Sequence, residues 1–302
     1  MKKNILFIFP VILAAAAMLS CSKDNGWTIP EAPDSGGQSG NKPDHEPEWE
    51  LVFSDDFEGT EISKANWNIY NSAGHNNHGL RHPGAFAQNG DGYLTVTARM
   101  YDVNDDGNTV CIEGEDVTIP ESAQLADNGT QIIVSGGMAH KMEFGPGTRF
   151  EFRARCETDQ SNTTSAVILT WPKSGSNRNS RCEESDIYET GSSGASTRSE
   201  ISSFFHYGKH PDVNGGKVTQ TSKTYQVDAT QWHTMDYRWL KDLVEIYLDG
   251  ELVWTFNNPE IVPVYDHHLC IQLDAFRNDV AAPVRMYVDW VRIYRDTAPY
   301  EE

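Results

Sequence analysis

Positive charge is scarce in this sequence: 24 Lys and Arg stand against 44 Asp and Glu, for a net charge of −20, and no basic run stands out. Nucleic-acid binding depends on cations that neutralise phosphates, so a nucleic-acid partner is excluded. The acidic surface favours solubility, although a local arginine cluster could still meet an anionic sugar. Cysteine is sparse, with five in 302 residues, and none has the C-x-x-C spacing of a zinc site. Long stretches of helical periodicity and internal repeats are missing, which argues against bundles and solenoids. The one apolar run, within residues 1–21, is too short for a comfortable membrane span and contains Pro10.

That run has another meaning. MKKNILFIFPVILAAAAMLSC places two Lys before the apolar stretch and small residues before a Cys, the layout of a secretory signal. Cys21 directly after Met-Leu-Ser resembles a bacterial lipoprotein processing site. The expectation is a signal peptide at 1–20, a lipid anchor on Cys21 as the sole membrane contact, and an exported lipoprotein of the outer membrane at the cell surface; an ordinary signal peptide is the alternative. Residues 21–46 are rich in Gly, Pro, Ser, Asp and Glu and cannot bury enough surface to offset their ordering entropy, so they read as a flexible tether. Residues 47–297 remain for one large domain, expected to be monomeric. Cys111, Cys156, Cys182 and Cys270 permit two disulfides in three pairings, and Cys182 lies two residues before Glu184.

Strand signals dominate the domain. Short runs of β-branched and aromatic residues recur between Gly, Asn, Asp and Pro: YLTVTA (93–98), RFEFRA (149–154), AVILT (166–170), VEIYL (244–248) and RMYVDWVRIY (285–294). Phe150, Phe152 and Ala154 alternate with Glu151, Arg153 and Arg155, the period-two mark of a sheet with one buried face. Asp249-Gly250 between VEIYL and ELVWTF is a hairpin signal. The fold class is therefore all-β, a β-sandwich or jelly roll.

Chemistry concentrates in residues 184–189, Glu-Ser-Asp-Ile-Tyr-Glu. Alternation puts Glu184 and Asp186 on one strand face and would turn Glu189 away. A β-bulge around Ile187–Tyr188 adds one residue and brings Glu189 back to that face. Two carboxyls so placed can narrow to the ~5–5.5 Å of a retaining glycosidase, one attacking the anomeric carbon and the other protonating the leaving oxygen. Taken alone, the pattern also fits an exposed strand or a calcium site.

The segment resembles the active strand of glycoside hydrolase family 16, in the branch with a bulged ExDxxE. The likeness continues in order through DDFEGTEISKANW (55–67), GHNNHGLRHPGAFAQNGDGYLTVTA (74–98), SGGM (135–138), FGPGTRFEFRAR (144–155), AVILTWP (166–172), SFFHYG (203–208), QWHTMDYRW (231–239), VEIYLDGELVW (244–254) and YVDWVRIY (287–294). The resemblance implies a concanavalin A-like jelly roll with an open cleft, Glu184 as nucleophile, Asp186 as its helper and Glu189 as acid/base. Departures are Ser185, where a small apolar residue is usual, and Glu183, where Gly is frequent. For substrate contacts it points to His206, Gln272 in place of a common Asn, and Arg81 in the loop beside the donor side; Trp171 is divided between cleft and core. Trp232, Trp239, Trp254 and Trp290 read as core or hairpin packing, while Tyr70 and Phe86 stay unassigned. Catalysis requires no cofactor. A structural calcium opposite the cleft is a further implication, at Asp289 with Glu58 or Gly59 nearby.

The activity so implied is endo-hydrolysis of a β-linked polysaccharide, with β-1,3- or mixed-linkage glucan first. Galactan and host-glycan hydrolases of agarase, porphyranase, carrageenase or endo-β-galactosidase type share the branch and are the alternative. A non-catalytic carbohydrate-binding lipoprotein is the remaining reading, and transglycosylation would use the same intermediate.

Overall fold

A computed structural model of the chain describes residues 46–88, 90–172, 182–207, 219–258 and 261–298, without the side chains of Cys182, Glu183 and Thr219. The expected signal peptide, Cys21 and all of the tether but its last residue lie outside the described residues, as does Gly208.

The strands, in chain order, are β1 (Trp49–Asp55), β2 (Trp67–Ile69), β3 (Ser72–Ala73), β4 (Leu80–Arg81), β5 (Phe86–Gln88), β6 (Leu94–Asp102), β7 (Thr109–Ile112), β8 (Glu115–Thr118), β9 (Gln131–His140) and β10 (Thr148–Cys156). They continue as β11 (Thr164–Pro172), β12 (Cys182–Thr190), β13 (Ile201–Tyr207), β14 (Thr219–Tyr225), β15 (His233–Trp239), β16 (Val244–Leu248), β17 (Glu251–Phe256), β18 (His267–Ala275) and β19 (Val284–Asp296). One sheet runs β17–β16–β15–β10–β19, with β1 and β6 sharing the far edge of β19. The other runs β14–β13–β12–β11–β18–β9–β2. Both are antiparallel, and β6 joins them by pairing its last residues with β9.

Side-chain alternation explains the layering. In β10, Phe150, Phe152, Ala154 and Cys156 are buried in the main core while the residues between them are partly exposed. In β16, Val244, Ile246 and Leu248 turn inward toward the same core. Between β16 and β17, Asp249 and Gly250 both take positive φ, 51° and 87°, the left-handed pair that a two-residue hairpin requires. β11 is different, being buried on both faces. Ala166 and Ile168 join the inter-sheet core, whereas Val167 and Leu169 pack on the opposite face with Ala139, Cys270, Tyr70 and Trp171. That second face is the floor of a cleft.

Two sequence expectations need correction. Trp239 and Trp254 are core residues, but Trp232 and Trp290 are only partly buried and lie outside the core. Trp232 is faced by the guanidinium groups of Arg153 and Arg155 at 5.2 and 5.0 Å, and Trp290 by that of Arg292 at 4.3 Å. Cys111, Cys156 and Cys270 are free thiols, so no two of them form a bridge, and the Cys182 side chain lies outside the described residues. Asp289 accepts a hydrogen bond from Arg153 Nη1 at 2.6 Å. A guanidinium already neutralises that carboxylate, and among the described residues no group of three or more His, Cys, Asp or Glu converges as a metal site.

Candidate active site

β12 carries the site, and its register decides which side chains reach it. Against β11, Tyr188 pairs with Ile168 and Asp186 with Leu169, leaving Ile187 as one extra residue. Against β13, Asp186 pairs with Phe204 and Glu189 with Ser202, so three steps on β12 match two on its neighbour. Ile187 and Tyr188 consequently both point into the inter-sheet core and are fully buried. Ser185 faces the same way and accepts a hydrogen bond from Tyr237 Oη at 3.3 Å. Glu184, Asp186 and Glu189 all face the cleft. The bulge is held in place: Ser203 Oγ donates to the Ile187 carbonyl at 2.7 Å, and Tyr225 Oη donates to Ser203 Oγ at 3.3 Å.

Just beyond Glu189 the strand is braced by Arg198, a fully buried arginine that sequence reasoning missed. Its guanidinium donates to the carbonyls of Glu157, Thr164 and Thr190 at 3.0, 3.1 and 2.6 Å and to both threonine hydroxyls. The ends of β11 and β12 are tied together through one side chain, which a lysine's single ammonium could not reproduce.

The cleft has a volume of about 560 Å³. Its floor combines apolar surface from Val167, Leu169 and Trp171 with a polar stripe on β18, where Cys270, Gln272 and Asp274 alternate with the core residues Ile271, Leu273 and Ala275. Tyr70, His75, Phe204 and Phe276 add rings, and Phe204 stacks on His206 at 5.9 Å. Gly137 on β9 makes room for part of this wall: a Cβ there would lie 2.5 Å from Tyr70 Cδ2 and 3.3 Å from Arg81 Cδ.

Three carboxyls crowded in a half-dry cleft cannot all be ionised at little cost. Burial pushes Glu184 up to about 8, with the Asp186 charge and then Glu189 adding to the rise and His206 opposing it. Asp186 is held well above its ordinary range by burial and by Glu189. It hydrogen-bonds to Glu184, and His206 Nε2 lies 2.9 Å from its Oδ2. Burial also raises Glu189; the hydroxyl of Ser165, donating to Glu189 Oε1 at 3.0 Å, and His206 pull the other way, and Asp274 adds to the rise.

All four sequence-derived substrate candidates line this cleft. Trp171 is on the cleft side rather than in the core. His206 contacts the acidic cluster directly. Gln272 is buried, and its Oε1 accepts no hydrogen bond among the described residues. Arg81 is already engaged: its Nε and Nη2 both donate to Asp274 Oδ1, at 2.9 and 2.6 Å. Phe86 lies away from the cleft, against the core. The sequence did not announce Tyr70, His75, Phe204, Asp274 or Phe276; for Asp274 and Phe276, the alternation of β18 is a usable signal once Gln272 is placed.

Solved structures share this architecture over most of the chain. The catalytic domain of an endo-1,3-β-glucanase (laminarinase) from Thermotoga petrophila is 21% identical, with a TM-score of 0.60 over 84% of this chain and 100% of that one. The laminarinase of Rhodothermus marinus is 20% identical, with a TM-score of 0.61 over 84% and 100%. A structure from work on endo-acting O-glycanases, which prominent members of the human gut microbiota express to initiate mucin breakdown, is 18% identical with a TM-score of 0.62 over 82% and 91%. At such identities the likeness establishes the fold, the all-β concanavalin A-like jelly roll of laminarinases. No family model matches the sequence, and no curated protein is similar to it.

Proposed function

We propose that this chain is a retaining endo-glycoside hydrolase of the family-16 kind, with Glu184 as nucleophile and Glu189 as acid/base. The observation that carries the reading is the extra residue in β12, which brings Glu184, Asp186 and Glu189 onto one cleft wall. A strand with no chemical duty has no need of three raised, mutually opposed carboxyls in a groove.

The reaction follows from the placement. Glu184 is hydrogen-bonded to Asp186 and attacks in its ionised form, which burial and Asp186 oppose and His206 favours. A Glu184 oxygen attacks the anomeric carbon as the glycosidic C–O bond breaks, and the Glu189 proton passes to the leaving oxygen. Water then enters, gives a proton back to Glu189 and attacks the same carbon, which releases Glu184. His206 fixes Asp186, and Trp171 and Phe204 offer ring faces to the sugars. Unpaired Gln272 Oε1 suits a sugar hydroxyl donor.

A neutral β-glucan, laminarin first, fits a cleft whose lining arginine is already paired with Asp274 and whose other fixed charges are acidic. Endo-cleavage of host O-glycans is the second reading, favoured by the O-glycanase neighbour. Export as a monomeric lipoprotein anchored through Cys21 belongs to the same proposal and rests on residues 1–21. The test is a panel of laminarin, lichenan, agarose, porphyran and mucin O-glycans with chromatography of the products. Internal cleavage of one member by the native chain and a loss of at least ~10³-fold in Glu184→Gln are expected; a Glu184→Gln protein that still turns over the substrate sinks the assignment.

A further inference from the structure

A second acidic group stands close to the reacting pair without being one of them. Asp274 on β18 is directly opposite Ser165 on β11, and Ser165 Oγ donates to Glu189 Oε1 on β12. Glu189 itself sits opposite Val167, two residues along β11 from Ser165, so Asp274, Ser165 and Glu189 lie on a diagonal across three adjacent strands of the cleft floor, its ends roughly 12 Å apart at the backbone. Asp274 is 4% exposed and cannot swing away, because Arg81 grips its Oδ1 with two donors while Oδ2 is left facing His75 Nδ1 at 3.9 Å. We infer that Asp274, clamped by Arg81, is a positioning residue for Glu189, its fixed negative charge keeping the acid's proton in place across Ser165.

The inference rests on the hydrolase reading above and deepens it. Glu189 needs to be protonated when substrate binds, yet its own strand is not the only source of field. Glu184 and Asp186 face it from β12, His206 from β13, Ser165 from β11 and Asp274 from β18. Arg81 and His75 stand behind Asp274. Ser165 and His206 favour the ionised form of Glu189, and Asp274 favours the protonated one. A carboxylate at this distance in a partly screened site moves a neighbour by roughly half to one pH unit. Arg81 both aims the Asp274 carboxylate and offsets part of its charge. The two residues therefore push Glu189 in opposite directions, which a merely structural ion pair would not do.

The experiment is a pair of charge-removing variants of the full chain, Asp274→Asn and Arg81→Met, read in two ways. The first is the alkaline limb of kcat/KM, where activity falls as Glu189 loses its proton. The second is the titration of the Glu189 carboxyl by ¹³C NMR, assigned with Glu189→Gln, which needs no turnover. Asp274→Asn is expected to move both readings down by about half to one pH unit, and Arg81→Met to move them up by a smaller amount. An unmoved Glu189 titration in folded Asp274→Asn, or shifts of the same sign in both variants, overturns the inference. The native protein's failure on every glycan, with the NMR shifts as expected, would instead overturn the hydrolase reading and leave the coupling standing.

Discussion

Replacing Glu184 by glutamine should make the protein more stable, and only above a definite pH. The Glu184 carboxyl has an ordinary value of 4.5 and is raised to about 8 in the fold, chiefly by burial. A raised acid contributes fully below its unfolded value and loses that contribution as pH climbs toward its folded value. Between the two, the unfolded chain ionises freely while the fold resists, at ~1.4 kcal/mol per pH unit. The whole interval sets a ceiling of ~5 kcal/mol above pH 8. Glu184 keeps some contact with solvent in the cleft, and screening reduces the gain to ~2–3 kcal/mol. Glutamine keeps the shape and a donor toward Asp186 while removing the charge. Urea unfolding at pH 4.5 and pH 8 measures the difference; a domain of this size should also gain ~5–10 °C in Tm at pH 8. Near pH 4.5 the two proteins should be indistinguishable. A gain of equal size at both pH values, or a less stable variant at pH 8, refutes the argument, because either would mean that burial of the charge is not what costs stability.

Two further outcomes follow from the same geometry. Glu189→Gln should lower kcat by ~10²–10⁴-fold on polysaccharide and erase the alkaline limb of the pH profile; a retained alkaline limb would assign the acid elsewhere. Gly137→Ala should place a methyl against the Tyr70 ring and Arg81, costing ~1–3 kcal/mol in stability and weakening glycan binding; unchanged Tm and unchanged KM would show that this wall yields freely.

The layer architecture was legible because one physical rule, alternation, writes it directly into the chain. Phe150, Phe152 and Ala154 read as inward from sequence and are inward. The Asp249-Gly250 hairpin is likewise local chemistry, and the placement of a bulge near Ile187 followed from asking how Glu189 could share a face with Glu184. What escaped was whatever depends on partners distant in sequence. Arg81 reads as a cation ready for a ligand until Asp274, 193 residues later, is seen to hold it. Arg198 reads as a loop charge, and its burial is set by the carbonyls at the ends of β11 and β12, whose convergence no local pattern announces. Trp232 and Trp290 read as core because tryptophan is usually well buried, whereas guanidinium groups cover them outside the core.

The single surplus residue in β12 has a consequence for how this stretch can change. Exchanging a side chain in this strand leaves the count unchanged, but losing or gaining a position anywhere other than the bulge reverses odd and even for everything downstream. Counting, rather than chemistry, is then what ties the two glutamates together. The one length change the layout tolerates is loss of the surplus residue itself, which leaves Glu-x-Asp-x-Glu on a plain strand with the same three side chains on one face.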